Sequence, residues 1–189
     1  KAIFGYGENG PSYISLTNLV SNSGVVATDV TGVGTVRAYL AAASYGGDKA
    51  IFGYGGASYL SMTNLVNNSG VVATDTTGVG TARSELTAAK YGADKALFAY
   101  GMTGSNTAIS NLVSSSGVVA TDTTGVGTAR RALAAAGYGG DKAIFAYGYT
   151  SGAVSMTNLV TNAGVVGTDV SGVGTARASL KAAGFSTSA

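Results

Sequence analysis

What most constrains this chain is that it states one sentence four times. The stretch "ATDTTGVGTAR" occupies residues 73–83 and recurs letter for letter at 120–130, with near copies "ATDVTGVGTVR" at 27–37 and "GTDVSGVGTAR" at 167–177. Aligned on the Lys that opens each copy, the units start at Lys1, Lys49, Lys95 and Lys142. They span 1–48, 49–94, 95–141 and 142–189, lengths of 48, 46, 47 and 48 residues, and together fill the 189-residue sequence as a single repeat domain. Units of this size are supersecondary pieces that bury an apolar face only by stacking on neighbours, so the chain reads as an array before any part of it reads as a site. No stretch has the form of a signal peptide or of an apolar run long enough to cross a bilayer, and no membrane partner is expected.

The glycines of the repeated stretch invite a phosphate-binding reading. It lacks both the third Gly of a dinucleotide fingerprint and the Lys-Ser/Thr ending of a P-loop. Charge is repeated too. Lys1, Lys49, Lys95 and Lys142, Arg37, Arg83, Arg130 and Arg177, Asp29, Asp75, Asp122 and Asp169, and Asp48, Asp94 and Asp141 hold most of it. Only Glu8, Glu85, Lys90, Arg131 and Lys181 belong to one unit, so the net charge of +2 belongs to the unit's architecture. A nucleic-acid partner would need clustered Lys and Arg and is not expected. With no His and no Cys there is neither the commonest general base nor the commonest metal ligand, and no cofactor, metal or catalytic residue is expected.

Within one unit, "KAIFGYG" (49–55) and "LSMTNLV" (60–66) are rich in aromatic and branched residues and read as strands. "VVATDT" (71–76) reads as a third, joined to the second by "NNSG", a short loop ending in the Gly of a bulged hairpin. The segment "TARSELTAAKYG" (81–92) has helical composition, but the positions that change between units scatter around a helical wheel. A strand crowded on both faces is the expectation, a helix the alternative.

These residues resemble the kelch-type β-propeller repeat. The run "ARSELTAAKYGADKALFAYG" (82–101) and its counterpart "ARRALAAAGYGGDKAIFAYG" (129–148) place an Arg before a small-residue strand, then a glycine turn, then a strand ending in glycine. The wording is also similar to repeats in structural and tail-associated proteins of marine bacteriophages. The resemblance implies an all-β fold, a four-bladed β-propeller from four 46–48-residue repeats. It implies a non-enzymatic structural or surface-recognition module, extracellular or exposed on a virion, whose partners are glycans or another structural protein. The chain departs from the kelch pattern in having no Trp, no Gly-Gly doublet where one is expected, and four units rather than five to seven.

In such a ring the C-terminal segment 176–185 supplies the inner strand of the first blade. The register agrees, since Ser188 falls where Asp48, Asp94 and Asp141 stand and Lys1 is next in the pattern. A closed monomer is the expected form; the alternatives are an eight-bladed homodimer by exchange of that strand, or an open solenoid. "TDTTGVGTAR" then becomes the crossover from one blade's outer strand to the next blade's inner strand. Its Asp and Arg (Asp29 with Arg37, Asp75 with Arg83, Asp122 with Arg130, Asp169 with Arg177) are expected to cap the loop, or to pair with each other or with backbone groups of the adjacent blade. The tyrosines at 6, 54, 100 and 147, and at 45, 91 and 138, are expected to pack blade against blade.

Recognition is sought where the units differ in length and identity, in the loops 7–13, 55–59, 101–107 and 148–153. The candidate ligand-binding residues there are Glu8, Asn9, Tyr13, Ser58, Tyr59, Thr103, Ser105, Asn106, Tyr149 and Thr150. Their Tyr, Asn and Ser suit polar surfaces, and lectin-like glycan binding is the leading alternative function; an enzyme is the remaining one.

Overall fold

The computed structural model describes residues 1–185 and is all-β across them. Its strands are β1 (Ala2–Asn9), β2 (Ser12–Val20), β3 (Ala41–Tyr45), β4 (Lys49–Gly55), β5 (Leu60–Val66), β6 (Thr87–Tyr91), β7 (Lys95–Ala99), β8 (Ser110–Val113), β9 (Ala134–Tyr138), β10 (Lys142–Tyr149) and β11 (Ala153–Val160). They form four antiparallel sheets: β1-β2, β3-β4-β5, β6-β7-β8 and β9-β10-β11.

The small-residue segment is therefore a strand. Ala41, Ala42 and Ala43 pair with Gly53, Phe52 and Ile51, and the same ladder is repeated by β6 on β7 and β9 on β10. Its alanines admit a close neighbour on both faces, which a helix-forming composition conceals.

The predicted third strand is corrected. Val71 to Thr76 runs beside β5 but touches it only at two bridges, Val66 with Val72 and Thr63 with Thr76. The two bridges differ in register by one residue, so an inserted residue interrupts the ladder between them. The turn leading into it is as expected, with Gly70 at φ +89° and the Asn67 amide donating to the Val71 carbonyl at 3.1 Å.

Apolar burial lies between sheets. At the first seam Phe52 of β4 meets Tyr6 of β1, at the second Phe98 of β7 meets Tyr54 of β4, and at the third Phe145 of β10 meets Tyr100 of β7, with ring centroids 5.2, 5.1 and 5.5 Å apart. Edge-on contact, as at the first and third seams, and the tilted contact at the second add to area burial. The expectation for Tyr6, Tyr54 and Tyr100 is thus met in the structure, and Tyr45 and Tyr91 lie against Gly117 and Gly164 of the following sheet. Tyr138 is exposed.

Closure of the ring is not seen. Residues 176–185 form no strand. Ser179 N donates to Ala132 O at 2.8 Å and Gly184 lies against Gly137, so the segment follows β9. Among the described residues no hydrogen bond joins it to β1, which leaves the first sheet with two strands. β3, β6 and β9 are each tied to the following strand by a short hairpin, whereas pairing 181–185 with β1 would be a long-range closure. The register match at Ser188 lies outside the described residues.

Candidate functional site

The repeated stretch is built into the seams. Gly78 and Gly80 show why it needs glycine: a Cβ on Gly78 would stand 2.0 Å from the Ser61 hydroxyl, and Gly80, at φ +76°, would put one 2.2 Å from Asp122. The chain passes that closely because the following Thr81 donates from its amide and, at 2.6 Å, from its hydroxyl to Asp122 of the next unit. Arg83, fully buried, donates from Nε to Tyr100 O at 2.9 Å, from Nη1 to Thr81 O at 3.1 Å and from Nη2 to Asn111 Oδ1 at 2.7 Å. Its guanidinium lies 4.3 Å from the centroid of the Tyr54 ring. Asn111 in turn donates to Asp122 at 2.9 Å.

The same arrangement recurs with Thr35, Arg37, Asn64 and Asp75, and with Thr128, Arg130, Asn158 and Asp169. The expectation for the Asp–Arg pairs needs one correction. Arg37 stands 3.7 Å from Asp75 and Arg130 3.8 Å from Asp169, so the ion pair joins an Arg to the Asp of the next unit and not to the Asp eight residues before it in its own loop. The chain arrives at the seam from one sheet and leaves in the other, which carries the loop's two ends to different interfaces.

The electrostatics follow from burial. Desolvation pushes the Asp75, Asp122 and Asp169 carboxyls up, but hydrogen bonds from the Thr and Asn side chains and the Thr amide, with the Arg charge, outweigh it and hold all three below the usual carboxylate range. Burial lowers the Arg37 and Arg83 guanidinium values and raises those of the Tyr6, Tyr54 and Tyr100 phenols, each partly countered by the partner across the cation–π contact. Those tyrosines sit at φ 63°, 64° and 63°, and Tyr6 and Tyr54 lie at the register shift of their strands. A left-handed non-glycine costs roughly 1–2 kcal/mol. It is held there by the Arg above the ring and by a bond of about 3 Å from the Tyr54 hydroxyl to Val79 O.

The variable loops join β1 to β2, β4 to β5, β7 to β8 and β10 to β11, the same end of each unit's strand pair, which is its rim. At its first unit Tyr13 pairs with Glu8 across β1-β2, its ring meets Tyr39 edge-on at 6.2 Å, and the Tyr39 hydroxyl donates to Glu8 at 3.2 Å. Between the last two units Asn106 donates to the carbonyls of Tyr149 and Thr150, both at 3.2 Å, and Arg131 stands over Tyr149 while pairing with Glu85 at 2.6 Å. Thr103 N donates to Ser105 O within its own loop. Asn9 pairs with Ser12 at the β1-β2 turn, and Ser58 and Tyr59 occupy the β4-β5 turn, outside both groups.

Tyr39, Glu85 and Arg131 belong to the rim although no variable loop contains them. Tyr39, Glu85, Ala132 and Ser179 form a row of positive-φ residues in which each amide donates to the carbonyl of the one before, at 3.0, 3.0 and 2.8 Å. The signal for Tyr39 and Glu85 in the sequence was that their position changes in every unit, while Arg131 stands where other units carry Ala38, Ser84 and Ala178.

Below the rim, the inner segments 40–42, 86–88, 133–135 and 180–182 line a shallow cavity of 250 Å³. Among the described residues no group of three carboxylates stands close enough to hold a metal ion. No family model matches this sequence, and no curated protein matches it.

Proposed function

We propose that the chain is a non-enzymatic structural or surface-recognition module built of β-propeller-type blades, with its rim as the recognition surface. The observation that carries the reading is the division of labour among polar residues. The repeated Thr, Arg, Asn and Asp side chains are spent on joining units, whereas the side chains that differ from unit to unit gather at the rim. The blade reading is supported by the crossover, which leaves the outer edge of one sheet and opens the inner strand of the next, and by the common cavity that the four inner segments line. A four-bladed ring closed within the chain is the simplest propeller of this kind. A place on a phage particle or other exposed surface, with another structural protein as partner, follows from the resemblance of the repeats.

The grouping of Tyr13, Tyr39 and Glu8 favours a lectin-like variant of the reading. An exposed aromatic face beside a carboxylate acceptor is what a sugar ring with hydroxyl donors meets well. A glycan array separates the two. A purely structural role gives no reproducible ligand, and a lectin gives one whose signal falls at least about tenfold in Tyr13→Ala, the loss of one good contact.

A further inference from the structure

The chain has ten asparagines, and the fold engages nearly all of them. At the seams Asn64, Asn111 and Asn158 are fully buried, and their side-chain amides each donate to a backbone carbonyl and to an aspartate, as that of Asn18 also does. Asn67 accepts the Ser69 and Val71 amides, Asn106 donates to Tyr149 O and Thr150 O, Asn162 donates to Asp141, and Asn22 accepts from Lys1 N. The side chain of Asn68 makes no such bond, but the amide that follows it, Ser69 N, is held by Asn67.

Asn9 is the exception on both counts. It is exposed at the end of β1, and among the described residues its side chain has no hydrogen-bond partner and the Gly10 amide that follows it donates to no acceptor. It is also the only asparagine in the sequence followed by glycine. A Cβ placed on Gly10 would meet nothing within 4 Å, so the surroundings are open to solvent. The two residues stand at a tight turn: Asn9 pairs with Ser12, Gly10 lies at φ +60°, and the ring of Pro11 fixes a negative φ, which is the II′ arrangement. Only the last pair of the β1-β2 ladder has to open for the Asn9 side chain to swing over the Gly10 nitrogen, and such terminal pairs fray at little cost.

We propose that Asn9 is a site of spontaneous deamidation through a cyclic imide. The Gly10 nitrogen gives up its proton to solvent base and attacks Asn9 Cγ. A new C–N bond forms, the bond from Cγ to Nδ2 breaks, and Nδ2 leaves as ammonia after taking a proton from solvent. Glycine suits the attacking position because it has no Cβ to stand against the amide that its nitrogen must approach. Water then opens the five-membered ring at either carbonyl. Addition at Cγ breaks its bond to Gly10 N and leaves aspartate. Addition at the main-chain carbonyl breaks the original peptide bond and leaves the chain joined through Cγ, an isoaspartate. One ammonia is lost and one water gained, and water is the only co-reactant.

Either product places a second carboxylate next to Glu8, the acceptor of the Tyr39 hydroxyl. One added negative charge takes the net charge from +2 to +1. The isoaspartate also adds one atom to the main chain inside the turn that pairs Asn9 with Ser12. The rim of the first unit thus passes from one charge state to another as the chain ages. The proposal does not rest on what the rim binds.

Incubation of the full chain at physiological temperature, at neutral and at mildly alkaline pH, tests this. An acidic form is expected on anion exchange, heavier by about one dalton, and it accumulates faster at the higher pH because the attacking nitrogen must lose its proton. Trypsin releases the peptide 2–37, which carries Asn9, Asn18 and Asn22 together, so fragmentation compares the three in one molecule. The gain in mass is expected at Asn9 ahead of the other two, in two chromatographically separate products, aspartate and isoaspartate. In Asn9→Gln, a change at an exposed side chain, the ring would need six members, and the acidic form is expected to be absent over the same period. The proposal is overturned if the wild type forms no acidic species, if Asn18 or Asn22 converts first, or if Asn9→Gln leaves the acidic form in place. It is overturned as well if aspartate is the sole product, which means direct hydrolysis without a ring, or if Asn9 converts only after the chain is unfolded in urea, which means that the turn holds it.

Discussion

Replacing Arg83 with alanine removes the most connected side chain of the central seam. It is fully buried, donates three hydrogen bonds and covers the Tyr54 ring. Charged hydrogen bonds contribute roughly 1.5–3 kcal/mol each and a desolvated cation–π contact about 2 kcal/mol, but these are not additive, because the guanidinium regains its hydration when the chain unfolds. The net loss is better judged from what stays behind: Tyr100 O and Asn111 Oδ1 lose their donor inside the seam, Asp122 loses a nearby positive charge, and a void opens beside Tyr54. Breaking a buried charged contact from one side costs about 3–5 kcal/mol. With a denaturant slope near ~2 kcal/mol/M, the urea midpoint should fall by roughly 1.5–2.5 M. Arg131→Ala is the internal control. Its partner Glu85 is only 2.6 Å away, but the two side chains are 31% and 28% exposed, and surface pairs of this kind contribute about 0–1 kcal/mol. Equal midpoint shifts for the two variants would refute the assignment of the repeated arginine to the seam.

Gly80→Ala should destabilise by at least about 2 kcal/mol, since it adds the left-handed penalty of roughly 1–2 kcal/mol to displacement of Asp122. Gly140→Ala, at φ +83° in open space, should show the conformational part alone, and comparable melting temperatures for the two would contradict the close approach. Asp75, Asp122 and Asp169 have folded-state values below their unfolded ones, so their stabilisation is complete above about pH 4 and is lost as the pH falls through the folded values. Urea midpoints measured between about pH 5 and about pH 2 should therefore decline, and more shallowly in Asp122→Asn; parallel declines would remove Asp122 from the cause.

Much of this was legible because the repeat supplies its own internal comparison. The small-residue strand was recognisable from the scatter of variable positions around a helical wheel. The glycine loop was recognisable as a crossover because it lacks every accessory of a phosphate site. The partner of the seam aspartate was not legible, for a reason peculiar to arrays: Asp75 and Asp122 carry the same local sequence, so nothing in the letters says whether Arg83 reaches one or the other. The interruption beside β5 escaped as well. Two bridges one residue out of register leave the alternation of Val71 to Thr76 intact while breaking its ladder. Closure depends on whether a segment finds a partner far away in the chain, and a matching register makes that pairing possible without making it happen. The rim group of Tyr39, Glu85 and Arg131 was visible only as variation, and its meaning came from the backbone bond that sets Glu85 beside Tyr39 and the ion pair that sets Arg131 beside Glu85.

The seam's wiring has a consequence for how such a chain can change over generations. The Thr and Arg side chains of one unit reach the Asp and Asn of the next by the same bonds at each seam, with no residue reserved for a particular neighbour. A unit gained or lost by unequal recombination between the near-identical coding segments would find its contacts already in place at both sides. Length is therefore the cheapest property for this architecture to vary, and each duplication adds a fresh stretch of rim that can diverge while the original keeps its specificity.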